Sequence, residues 1–329
     1  MLKPAAASVA ALLTLLPGTS GERFAVPTQA RGTRELLSEL QSPDPAARGR
    51  AACELRERGD AAADALPLLV DLLADGAPLT ATLCERRWWQ GNPDDVTSPG
   101  ELAAAALVAI GSRAFAPVLE ALVHDAWIAR KNAAWALGAL DDPRAVPALV
   151  KAVRDREAAV RQQAAWALGA LDENAAVPAL TTALSDEDPR VRRQAAWALG
   201  AIDDARGVSA LIKALADRDD ETRAQAAWAL GAIDDRQAIE PLVRALAGDA
   251  SAQVRQQAAW ALGAIGASEA VDGLVPALRD GSRGVREQAA WALGAIGDSR
   301  ALPGLIGALK DQDAAVRRQA AWAIGTIGK

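Results

Sequence analysis

The string Ala-Ala-Trp-Ala-(Leu/Ile)-Gly recurs at residues 133–138, 164–169, 195–200, 226–231, 258–263, 289–294 and 320–325. Its Trp residues stand 31, 31, 31, 32, 31 and 31 positions apart. No other feature restricts the fold as much, because self-similarity at this period marks one supersecondary unit used repeatedly. The single extra residue falls in the turn around Ala247-Gly248-Asp249-Ala250-Ser251. Two degenerate copies lie upstream. Residues 51–55 carry Cys53 in the Trp slot, and residues 103–107 carry Ala105 there.

Each unit reads as two helices. In residues 143–172, Pro143 breaks the chain and a first helix follows over about Ala145 to Val153. Its apolar Val146, Leu149, Val150 and Val153 recur at helical spacing. Pro147 sits in the first turn, where its missing N–H costs little. Asp155-Arg156-Glu157 makes the turn, and a second helix runs over about Ala158 to Leu171. Val160, Ala164, Ala167, Leu168 and Leu171 form its inner stripe. A hairpin this small cannot bury that stripe alone, so the units must stack side by side around one continuous core.

The run Val160-Arg161-Gln162-Gln163-Ala164-Ala165-Trp166-Ala167-Leu168-Gly169 resembles the second helix of HEAT repeats, specifically the short bacterial type shared with phycobilisome lyase subunits. The resemblance covers about residues 32–328. It implies an all-α, right-handed α-solenoid of about nine two-helix repeats, with the second helices lining a concave face. The expected organisation is residues 1–30 as a signal peptide or disordered tail, then one solenoid over 31–329 interrupted by an insertion at 76–99.

An Asp lies six residues before the first Arg of each second helix. The pairs are Asp155 with Arg161, Asp186 with Arg192, Asp217 with Arg223, Asp249 with Arg255, Asp280 with Arg286 and Asp311 with Arg317. The carboxylate suits the turn, where it can accept backbone N–H groups. The guanidinium fork suits a carboxylate of its own unit or the next. In the HEAT family this resembles a structural ladder. His124, the one His in the chain, holds the Asp slot six before Arg130 and reads as a turn residue.

The second-helix Trp residues are Trp135, Trp166, Trp197, Trp228, Trp260, Trp291 and Trp322. At about 100° per residue, Trp166 falls well away from the inner stripe, on the side of Gln162, Gln163, Gly169 and Ala170. The chain has ten Trp and no Tyr, and the HEAT family is not defined by Trp in this slot, so seven of them there are a departure that needs a cause. Two readings stand: an aromatic track offering contact area and an N–H donor to a partner, or rings laid over small residues of neighbouring helices as glue. If helix spacing alone sets them, adjacent rings stand about 9–10 Å apart, too far to stack. Trp88 and Trp89, beside Arg86 and Arg87 in the insertion, read either as a contact knob or as packing over the first units.

The chain opens with Met1-Leu2-Lys3, an apolar run from Ala5 to Leu16, and Pro17-Gly18. This matches an export signal with a mature N-terminus near residue 22 or 31, and predicts a periplasmic or secreted protein with no membrane span after cleavage. The alternative is a disordered tail on a cytoplasmic protein. Cys53 and Cys84 lack metal spacing, and their pairing depends on export. The last copy, Val316 to Ile327, is as apolar as the interior ones, so that end is expected to dock on a partner or on a second copy of the chain, or the chain is a fragment.

No P-loop, GxGxxG, GxSxG or zinc spacing is present, so no enzyme, metal or cofactor is expected. A net charge of −6 disfavours nucleic acid. The expected role is a protein–protein interaction scaffold. A tetrapyrrole-handling role resembling bilin lyases or isomerases is the alternative, and a HEAT-like nucleic-acid-binding role ranks below it.

Overall fold

The computed structural model describes residues 31–79, 84 and 97–327. Its helices come in consecutive pairs: α1 (Thr33–Glu39) and α2 (Pro45–Arg58); α3 (Leu66–Leu72) and α4 (Pro99–Ile110); α5 (Phe115–Ala121) and α6 (Trp127–Ala139); α7 (Val146–Ala152) and α8 (Ala158–Ala170); α9 (Val177–Ala183) and α10 (Pro189–Ile202); α11 (Val208–Ala214) and α12 (Asp220–Ile233); α13 (Ile239–Gly248) and α14 (Ala252–Ile265); α15 (Val271–Ala277) and α16 (Arg283–Ile296); α17 (Leu302–Ala308) and α18 (Ala314–Ile327). Among the described residues, the only β pairing is an isolated bridge between Leu79 and Thr97, at the two ends of the insertion.

Local chemistry fixes the boundaries. Each odd helix from α7 on is entered through a short 3-10 turn, such as Pro143–Ala145. Pro147 and Pro178 lie at the first positions of α7 and α9, where the absent N–H would have had no helical partner. Among the even helices, α2, α4, α10 and α12 start on a side-chain cap. Asp188 accepts the Arg190 N–H at 2.8 Å, and Asp219 accepts that of Thr222 at 2.8 Å. They stop on a left-handed residue. Gly266 and Gly297 fill that position after α14 and α16, whereas Asp203 and Asp234, at φ 54° and 57°, fill it after α10 and α12.

The even helices stack directly on one another along the whole array, each also packing on the odd helix of its own unit. The stripe of Val160, Ala164, Ala167 and Leu168 is fully buried, as are Leu149, Leu180, Leu199, Leu211 and Leu230. Each such Leu contributes roughly 1.5–3 kcal/mol. One hydrophobic cluster runs from Leu36 to Ala323. The stretch Pro99–Ala121 is long and apolar enough to cross a membrane by composition. Here it is broken by Gly111, at φ 80°, and its α4 half packs between α2 and α6.

Candidate functional site

From α6 to α18 the even helices carry Gly three residues after the Trp, and from α6 to α16 this Gly lets the next even helix approach closely. A methyl group added to Gly169 would lie 2.7 Å from the Ala198 Cα and 2.8 Å from Cζ3 of Trp197. The same contact recurs from Gly138 to Trp166, Gly200 to Trp228, Gly231 to Trp260, Gly263 to Trp291 and Gly294 to Trp322. Each indole therefore rests one edge of its six-membered ring on the preceding unit. The rest of the ring is not sealed: Trp135, Trp166, Trp197, Trp228, Trp260 and Trp291 are half-buried, and Trp322 is 46% exposed.

The expected ring spacing needs correction. Trp135 and Trp166 have centroids 6.5 Å apart with planes 11° from parallel, and Trp228 and Trp260 are 6.4 Å apart at 13°. These pairs stack, within the range of direct aromatic contact. The expectation of 9–10 Å took the usual helix-axis distance as the ring spacing. It fails at these two junctions, where the rings lie closer than the helix axes usually do; the Gly–Ala contact is common to all six junctions.

Two shallow cavities open on this face at equivalent places three units apart. One, of about 440 Å³, lies between Trp166 and Trp197 and is edged by Gln162, Arg190, Arg193 and Gln194. The other, of about 490 Å³, lies between Trp260 and Trp291 and is edged by Gln256, Glu287 and Gln288. None of the indole N–H groups donates a hydrogen bond within the described residues, and none of the half-buried ones is sealed from solvent. Gln162 and Gln163 are likewise half-buried, with side-chain amides that bond nothing among the described residues.

The Asp–Arg ladder runs forward from one unit to the next. Arg161 donates Nε and Nη2 to the two carboxylate oxygens of Asp186 at 2.7 and 2.8 Å. Its Nη1 donates back to the carbonyls of Asp155 and Arg156 at 2.9 and 3.2 Å. Arg130 pairs so with Asp155, Arg192 with Asp217, Arg223 with Asp249, Arg255 with Asp280 and Arg286 with Asp311. Each Asp also accepts the backbone N–H two residues on, as Asp217 does from Asp219 at 2.8 Å. Hydrogen bonds from Arg255 and Arg286 hold the Asp280 and Asp311 carboxyls below the usual range, against the opposing effect of burial. The fork thus commits its Nε and Nη2 to one carboxylate and its Nη1 to backbone carbonyls, so the charge of each ladder guanidinium is already matched by an Asp. Arg317 keeps only the carbonyl contacts, to Asp311 and Gln312.

The ladder has one gap, and both sides of it change together. Gly100 stands in the Arg slot of α4, and the slot that would answer it holds His124. With no guanidinium to meet, His124 needs only the turn function, and its Nδ1 accepts the Ala126 N–H at 2.9 Å. The space left by the missing side chain is taken by Asn132, whose amide donates to the Leu73 carbonyl at 2.9 Å. The first unit keeps the ladder, through Arg48 and Asp75. Cys53 and Cys84 form a disulfide with Cα atoms 5.9 Å apart, tying the insertion to the Trp slot of the first unit. Trp88 and Trp89 lie outside the described residues, as does the expected signal segment, residues 1–30.

Stacked helical hairpins with one continuous core, tied across units by a forward ladder, define the class of α-solenoid proteins. Within that class, the chain belongs to the HEAT-repeat family: the model for HEAT repeats matches residues 100–159, 148–220, 208–285 and 271–329. No curated protein matches the chain by sequence. Among solved structures it resembles yeast importin-β, Kap95p, at TM-score 0.62 and 17% identity, over 89% of this chain and 46% of that one. Kap95p in a complex with RanGDP gives TM-score 0.63 and 17% identity, covering 90% and 47%. YibA of Escherichia coli gives 0.57 and 22%, covering 79% and 91%. At these identities the likeness shows the fold alone.

Proposed function

We propose that this protein is a non-enzymatic scaffold that binds a protein partner along the concave, Trp-lined face of its even helices. The observation that carries the reading is the row of half-buried indoles whose N–H groups have no partner among the described residues. Indoles placed in this way combine apolar contact area with a donor, the pairing that suits interfaces. Kap95p, of the same fold, binds RanGDP and forms a complex with Nup1. The ladder Asp and Arg are committed to one another and His124 to a turn, so neither provides a free acid or base. The disulfide suits an oxidising compartment, and we place the protein outside the cytoplasm on that ground.

The test is affinity capture from the exported fraction with the full chain and with a variant carrying Trp197→Gln, Trp228→Gln and Trp260→Gln. The reading expects a partner held by the first and lost by the second, with helical content retained in both. Identical capture by the two would contradict it.

A further inference from the structure

The two cavities between the indoles are built from the same parts. Trp166 and Trp197 border the first, with Gln162 from α8, Gln194 from α10 and Gln225 from α12. Trp260 and Trp291 border the second, with Gln256 from α14, Gln288 from α16 and Gln319 from α18. Each residue of the first set has its counterpart in the second, three units further along. Repetition alone does not produce this match. Four residues before the Trp, the seven copies carry Lys131, Gln162, Arg193, Ala224, Gln256, Glu287 and Arg318. Gln stands at that place twice, in α8 and α14, and these are the helices at which the two cavities begin.

What differs between the cavities is charge, and that charge is already matched. The first is edged by Arg190 and Arg193, the second by Gly284 and Glu287. Arg190 pairs with Asp188, Arg193 with Glu221 and Glu287 with Arg283. The shared part is uncharged: two indoles, and three primary amides that bond nothing among the described residues. Among the described residues no aliphatic side chain lines either cavity. A ligand for such a site is neutral, has flat C–H faces, and carries rim groups that both donate and accept. The indole face is the negative side of the ring quadrupole, which polarised C–H groups meet favourably. Each primary amide offers donors and an acceptor together, so a rim of hydroxyl groups can answer all three. A pyranose ring combines these features. An aliphatic peptide side chain leaves the amides unused, and a charged one finds no free counter-charge. Cavities of about 440 and 490 Å³ are of the size that takes a small ligand. We infer that the two cavities bind neutral saccharides, the sugar rings laid against the indoles and their hydroxyl groups on the Gln amides. This goes beyond the scaffold reading, since the saccharide is either free or carried by the partner.

The probes are cellotriose, xylotriose, maltotriose and chitotriose, with trigalacturonate as the charged control. Each is titrated into the full chain by calorimetry, with indole fluorescence recorded alongside. At least one of the neutral trisaccharides should bind at two sites per chain, with an affinity that does not change between low and high salt. Gln194→Ala should weaken the first site at least about tenfold, and Gln288→Ala the second, so that each variant keeps one site at unchanged helical content. Gln163→Ala, on the same face but lining neither cavity, should leave both. Binding by none of the neutral trisaccharides, binding by trigalacturonate alone, or two sites that survive both Gln variants would overturn the inference. Capture from an exported fraction treated with periodate, which cleaves the vicinal diols of sugars, then separates the two sources. Lost capture places the saccharide on the partner, and retained capture leaves the free saccharide as the ligand. Trisaccharides that fail while the Trp variant still loses a captured partner would sink the saccharide and leave the scaffold standing. Trisaccharides that bind while the Trp variant captures everything the parent does would do the reverse.

Discussion

At Gly200 the next helix leaves no room for a methyl group: a Cβ would sit 2.8 Å from the Ala229 Cα and 2.8 Å from the Trp228 ring. Alanine is the better helix former by about 1 kcal/mol, but a clash with backbone costs about 1–3 kcal/mol. Gly200→Ala is therefore predicted to destabilise, while Gly325→Ala, at the same position in α18 with nothing within 4 Å, is predicted to stabilise by up to about 1 kcal/mol. Thermal melts of the two variants check the pair. The charged residues give a pH test. The Asp188 carboxyl is lowered to about 2, chiefly by its hydrogen bond from Arg190, and Asp280 and Asp311 are lowered by Arg255 and Arg286. A depressed folded pKa adds stability above the unfolded value, near 3.9, and that stability is lost as pH falls through the folded one. Stability should hold from neutral pH to about 4 and decline from there toward about 2, as followed by helical circular dichroism. The repeated Gly was plain in the sequence. That two neighbouring ring pairs stack was not, because a period in residues says nothing about how near two rings come until their facing side chains are known.

Among the elements, the junction between successive hairpins depends on the forward ladder. Arg192 is buried, with its side chain 4% exposed, and Asp217 opposite it is 12% exposed. Removing the guanidinium leaves a largely buried carboxylate unpaired, which costs about 3–5 kcal/mol in such settings. Arg192→Met should therefore destabilise strongly, and Arg192→Lys should restore little, since an ammonium cannot bridge both carboxylate oxygens and two carbonyls at once. Denaturant titration of the two variants tests this. The six-residue spacing of Asp and Arg was legible in the sequence. Its direction was not, because Asp186 stands 25 residues beyond Arg161 and six before Arg192, and only the stacking shows which it serves. The gap at Gly100 and His124 was legible as two separate irregularities. That they are one event became visible only with Asn132 filling the space between units.

Across the whole molecule, units touch only their neighbours, so stability is a sum of local terms and a defect is felt nearby first. Reducing the Cys53–Cys84 disulfide, which closes a loop of sequence separation 31, should cost about 3–4 kcal/mol in the first units. Hydrogen exchange should then rise in α1–α4 while α10–α16 keep their protection; a uniform rise would mean that the array unfolds as one body. The solenoid itself was readable from the repeat, since no other arrangement buries so many short amphipathic hairpins. The proposed face was only half readable: the Trp row stood out by its residue type, whereas the half-burial of its rings and the lack of N–H partners among the described residues needed the structure. The account rests on this face meeting the partner. Indole N–H resonances of protein labelled with ¹⁵N in Trp, recorded while the captured partner is titrated in, test it most directly. The prediction is that the signals of Trp166, Trp197, Trp228, Trp260 and Trp291, assigned by single Trp→Phe variants, shift together. Those five signals staying in place under saturating partner would contradict it.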